Sequence, residues 1–193
     1  MRACILGCAI GLAVLPFSSV AAVAVDLNKS RLSSIDLKEC RRISKHRDGG
    51  AWLCPGLRGY PIYFAEGDLR QMLGFGSAPQ KRASSTQTLG SFNTIFDGKR
   101  RPTIEWRVES DTRGRIVPFA TIVRFYTSSD DAKGEVLVVT KVDAKESCRI
   151  AVIDALANPD AMALARTWAI AEAKKRPCPA TPTVLGVSGK GPM

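Results

Sequence analysis

A single histidine, His46, stands in a chain of 193 residues. That scarcity excludes any site built on two imidazoles. A Ser-His-Asp relay would have to use His46, and the chain has no G-x-S-x-G turn to present a serine to it. Its neighbours Arg41, Arg42, Lys45 and Arg47 disfavour a further positive charge there, so it reads as a polar loop residue. Nucleotide-binding patterns are missing as well: LGFGS has no following Lys-Ser/Thr, and FDGKRRPT has no upstream glycine at the required spacing. There is no C-x-x-C pair, and the wide cysteine spacings suit neither a zinc set nor a redox dithiol. No cofactor and no metal are expected. After residue 24 no apolar run approaches the roughly 20 residues of a spanning helix.

What is present begins with a leader. Met1-Arg2 is followed by an apolar stretch to Phe17, and SSVAAVA ends in small residues at Ala22 and Ala24, the pattern of a cleaved signal peptide. Residues 1–24 are expected to leave, taking Cys4 and Cys8 with them. The remainder, 25–193, reads as one secreted domain with flexible termini. Its four cysteines, Cys40, Cys54, Cys148 and Cys178, fit two disulfides in an oxidising compartment, periplasmic or extracellular. The formal net charge of +10 attracts anionic partners in general, an envelope component or an acidic protein. Nucleic acid is disfavoured, because the basic clusters are not interleaved with aromatics.

The stretch from Cys148 to Cys178 carries the clearest geometry. Residues 148–155 are short and rich in Ile and Val, as a strand requires. Asn158-Pro159-Asp160 is a helix start, with Asn158 as N-cap and Pro159 where a missing N–H costs nothing. From Ala161 the chain consists of strong helix formers, with Ala161, Leu164, Ala165, Trp168 and Ala171 on one face; Pro177 ends the helix. A strand of about 24 Å and a helix of about 26 Å then match in length, so folding one back on the other brings the two cysteines together. Cys148, Ile150 and Val152 would share the face toward the helix.

Before this unit, TIEWRVE alternates Ile104, Trp106 and Val108 with polar residues, IVPFATIVRFY follows a turn at Gly114, and EVLVVTKV follows a second turn. Pro118 removes a donor and marks an edge or a bulge. The short connections predict an antiparallel meander. Earlier, Cys40 and Cys54 bracket a polar loop or hairpin, YPIYFA is a short strand, Phe92 to Phe96 a further one, and Asp68 caps a brief helical LRQML. The fold class is α+β: an antiparallel meander of about four to six strands with a C-terminal helix on one face and two disulfides.

Two sets of cationic residues are candidate binding groups. One is the basic patch Lys81, Arg82, Lys99, Arg100 and Arg101. The other is a sheet face placed opposite Cys148, carrying Arg107, Arg124, Tyr126, Lys141 and Arg149, arginine and tyrosine being frequent at recognition surfaces. The expected function is an exported binding or interaction protein of the bacterial envelope, without catalysis. The alternative is a small periplasmic hydrolase using Glu66, Asp68 and Asp154, with or without His46.

Overall fold

A computed structural model of the chain describes residues 29–193; the expected leader lies outside the described residues. In chain order the strands are β1 (Ser30–Ser34), β2 (Arg41–His46), β3 (Gly49–Leu57), β4 (Tyr60–Gly67), β5 (Arg70–Phe75) and β6 (Phe92–Thr94). Then come β7 (Thr103–Ser110), β8 (Ile116–Ser129), β9 (Ala132–Val142), β10 (Ser147–Asp154), helix α1 (Ala161–Glu172) and β11 (Thr183–Leu185). Strands β2 to β5 form one antiparallel sheet in sequence order. The other sheet runs β1-β7-β8-β9-β10-β11, with β6 paired to the far end of β8.

The larger sheet has a different cover on each side. Toward the smaller sheet it presents Ile104, Trp106 and Val108, the alternation expected from TIEWRVE, with Val123, Phe125, Val136 and Val138. These meet Trp52, Ile62, Phe64, Leu73 and Phe75. The Phe75 and Trp106 rings pack edge to face with centroids 5.5 Å apart, a favoured aromatic geometry. On the other side Ala120, Ile122, Leu137, Val139 and Ile150 meet Ala161, Ala165, Ala169 and Ala173, all buried. A stripe of alanines at four-residue steps lies on one helix face and lets the helix axis approach closely.

Both expected disulfides are present, Cys40–Cys54 and Cys148–Cys178. The first ties the start of the β2–β3 hairpin; the second closes the strand–helix unit at its open end. The extra residue expected near Pro118 is present: pairing steps from Val108↔Pro118 to Arg107↔Ala120, which leaves Phe119 as a bulge.

Several expectations are corrected. The strands are not a single meander of four to six but make two sheets. The segment between β10 and β11 carries α1 across, and β11 pairs parallel to β10, so this connection is a crossover. LRQML is strand β5, not a helix. Asp68 and Leu69 both have positive φ, 50° and 56°, and sit between paired Gly67 and Arg70, which is a two-residue type I′ hairpin. Asn158 does not cap α1 with its side chain; it donates to the carbonyls of Asp154 and Val187 and accepts from the Val187 N–H at 3.0 Å. Finally, a bulge in β10 between Arg149 and Ala151 breaks the alternation. Cys148, Ile150, Ala151 and Ile153 lie toward the helix, whereas Val152 faces the smaller sheet.

Candidate functional site

The face assignment of the cationic set is also corrected. Cys148 pairs with Lys141, Lys141 with Ala120, and Ala120 with Arg107. Directly opposed residues share a face, so Arg107 and Lys141, and with them Arg124 and Tyr126 four and six steps beyond Ala120 on β8, are on the helix side with Cys148. Arg149 alone faces the smaller sheet. The sequence-level assignment turned the bulkiest apolar face toward the helix. An alanine-faced helix cannot fill the space around Trp106 and Phe125, and the smaller sheet does.

On the helix side the sheet is only partly covered, and a cleft of about 360 Å³ opens between the N-terminal half of α1 and the segment joining β6 to β7. Four guanidinium groups line it: Arg100 and Arg101 from that segment, Arg124 from β8, and Arg166 from α1. Asp97 and Glu105 are the acidic lining groups, Tyr126 supplies a phenol, and Leu32, Ile95, Ile122 and Met162 the apolar surface. The size lies in the range of small-ligand sites.

Each arginine is oriented by a carboxylate. Arg166 makes a fork with Glu105, its Nε 2.9 Å from Oε1 and its Nη2 2.8 Å from Oε2. Arg101 reaches Asp36 at 2.8 Å, Arg100 reaches Asp97 at 3.4 Å, and Arg124 pairs with Glu135. A guanidinium has five N–H donors, and none of these pairs consumes more than two of them, so the lining keeps donors for a ligand. Glu105 is nearly buried, beside the buried Arg107, and accepts from the Ser30 hydroxyl at 2.8 Å. Burial pushes its carboxyl upward, but the hydrogen bonds from Arg166 and Ser30 and the charges of Arg166 and Arg107 hold it below its ordinary range. It stays ionised and anchors the floor of the cleft.

The cleft thus joins parts of both cationic sets, Arg100 and Arg101 from one and Arg124 and Tyr126 from the other. The rest go elsewhere. Arg107 lies under the floor and bonds Ser30. Lys141 is held by Glu146 and by the Arg176 carbonyl at 2.7 Å, near the helix C-terminus. Lys81 is exposed on the short turn Pro79–Lys81. Arg82 ties that region to the Asp143–Glu146 turn through the carbonyls of Ser77, Ala144 and Lys145. Lys99 lies exposed beside the cleft rather than in its lining. Arg149 is 2% exposed, its terminal nitrogens have no hydrogen-bond partner, and its guanidinium lies 5.2 Å from the Phe125 ring centre.

The proposed hydrolase set divides. His46, Asp48, Glu66 and Asp68 gather around two adjoining hollows at the β4–β5 hairpin. Asp154 is not with them: its carboxylate accepts from the backbone N–H groups of Leu156, Ala157, Gly189 and Lys190. Among the described residues no three His, Cys, Asp or Glu side chains gather as a metal-ligating group. No helix there is long and apolar enough to cross a membrane.

Arg166, and its pairing with Glu105, are what sequence reasoning missed in this site. Sixty-one positions separate them, and no local spacing signals the pair. The one hint was Arg166 on the same turn of α1 as the buried Ala165. No protein-family model, no curated protein and no solved structure matches the chain.

Proposed function

We propose that this chain is an exported binding protein without catalytic activity, and that it takes an anionic partner in the cleft between α1 and the β6–β7 segment. The observation that carries the reading is the convergence of Arg100, Arg101, Arg124 and Arg166 on one concave surface. Charge-assisted bonds from guanidinium to carboxylate or phosphate are about twice as strong as neutral ones, and a concave, partly apolar wall strengthens them by excluding water. The two disulfides support export to an oxidising compartment, and the expected leader agrees with it. The net positive charge of the chain supplies long-range attraction before contact.

Local recognition is separable from general attraction. Arg41 and Arg42 lie on the exposed edge strand β2, so reversing them removes as much charge as reversing Arg100 and Arg101. In calorimetric titration with pyrophosphate and with citrate, R100E/R101E is expected to lose about tenfold or more in affinity, the equivalent of one charge-assisted hydrogen bond. R41E/R42E is expected to lose little. Equal losses from both pairs would mean that only net charge acts, and the cleft reading would fall.

A further inference from the structure

Tyr126 lines the arginine cleft and also a second hollow, of about 630 Å³, beside the β6–β8 pairing and the β4–β5 hairpin. The two hollows are therefore neighbours that share this side chain, and a ligand long enough to reach from one to the other would pass Tyr126. Their chemistry differs. The first end is lined by four arginines and by Asp97 and Glu105, while Asp36 and Glu135 hold Arg101 and Arg124 from outside the lining. The second carries Arg70 and Lys133 against Asp48 and Glu66, an even balance, with the Ser128 hydroxyl; the Asn93 amide and the Thr94 hydroxyl are bonded internally to Gln71, Ser91 and Phe96. Phe92 and Leu69 add apolar surface and are 39% and 71% exposed. Arg70 stands 5.1 Å from the Phe92 ring centre and braces it.

We propose that the two hollows bind an acidic oligosaccharide, with its charged sugar at the arginine end and uncharged sugars over Tyr126 toward Phe92. This rests on the anion-binding reading above and names its ligand class. A polyanion charged at every unit, such as an acidic peptide or a nucleic acid strand, would gain no net attraction at the far end, where Asp48 and Glu66 offset Arg70 and Lys133. A sugar's hydroxyls instead donate to those carboxylates and exchange hydrogen bonds with the Ser128 hydroxyl. The flat C–H face of a pyranose matches an exposed aromatic ring, a contact that combines apolar burial with an orienting π face. Carboxylates that neither cancel a bound charge nor attract a second one fit a ligand whose charge sits at one end.

The test uses the purified chain and four probes: a tetrasaccharide with one terminal glucuronate, the same tetrasaccharide ending in glucose, free glucuronate, and triglutamate. The acidic tetrasaccharide is expected to bind on the order of tenfold more tightly than either free glucuronate or the neutral tetrasaccharide, a difference equal to one good polar or stacking contact. Phe92→Ala, at a half-exposed strand position, should remove the advantage over free glucuronate and leave free glucuronate itself unchanged. Tyr126→Ala should weaken the tetrasaccharide more than it weakens glucuronate. If the tetrasaccharide binds no better than glucuronate and Phe92→Ala is silent, the sugar proposal is overturned while the anion reading stands. If triglutamate binds most tightly, the ligand is an acidic peptide and the proposal is equally overturned. If neither glucuronate nor pyrophosphate binds at all, the anion reading itself falls.

Discussion

The two faces of the larger sheet bury arginines in opposite ways. On the helix side Arg107 lies beside Glu105, hydrogen-bonds Ser30, and shares its carboxylate with Arg166. On the side of the smaller sheet Arg149 lies against Phe125 and has no partner for its terminal nitrogens. The difference follows from what covers each face. A helix leaves gaps beside its narrow alanine stripe, and polar side chains from β1, β7 and α1 meet in those gaps. A second sheet covers its neighbour continuously with rings and branched side chains, and offers a charge nothing but an aromatic face. Burial pulls the Arg149 pKa down to about 10, which still leaves it charged at neutral pH. The comparison teaches that the helix side is where this fold can hold charge in order, and therefore where an anion site can be built.

The largest test of the contrast is at the dry face. Trp106→Ala removes a fully buried ring that meets Phe75 and should cost about 3–5 kcal/mol in denaturant unfolding. A loss below about 1 kcal/mol, the level of ordinary surface changes, would mean that the two sheets are not packed as described.

Next comes the ordered charge. Glu105→Gln keeps the shape but leaves Arg107 and Arg166 without their carboxylate, and about 3 kcal/mol should be lost at neutral pH. The pH dependence has a definite sign. The folded carboxyl of Glu105 lies below its ordinary value, so its contribution is present above the unfolded pKa of about 4.3 and fades as pH falls through the folded value. The gap in stability between wild type and Glu105→Gln should therefore be constant near neutrality and shrink in acid. A gap that widens in acid would contradict the assignment.

The smallest effect has the opposite sign. Arg149→Met replaces an unpartnered buried charge with an apolar side chain of similar length and should stabilise the chain by about 1–2 kcal/mol. Destabilisation of that size would show that Arg149 has a partner at this face, and the contrast between the faces would be lost.

Much of this was legible in the sequence, in parts. TIEWRVE declared its inward residues, Pro118 its bulge, and the lengths of the Cys148–Cys178 unit its crosslink, because each depends on local periodicity or chain geometry. The cover of each face was not legible. Which layer meets Trp106 depends on the small sheet, and LRQML, residues 69–73, has helical propensity while the Asp68-Leu69 turn that makes it part of a hairpin carries no glycine. The irregular step at Ile150 has no proline or glycine to announce it, yet it reverses every later side chain of β10. Thr183-Val184-Leu185 is too short to signal a strand; it is one because β10 offers a free edge. Arg166 and Glu105 meet only through the fold.

The anion cleft is tested most directly by following backbone amide signals in solution while pyrophosphate is added to the purified chain. The account predicts saturable shifts confined to residues 95–102, the 122–126 segment of β8 and the 162–166 turn of α1. Shifts spread over the exposed basic strand 41–46, or growing with salt and never saturating, would contradict it.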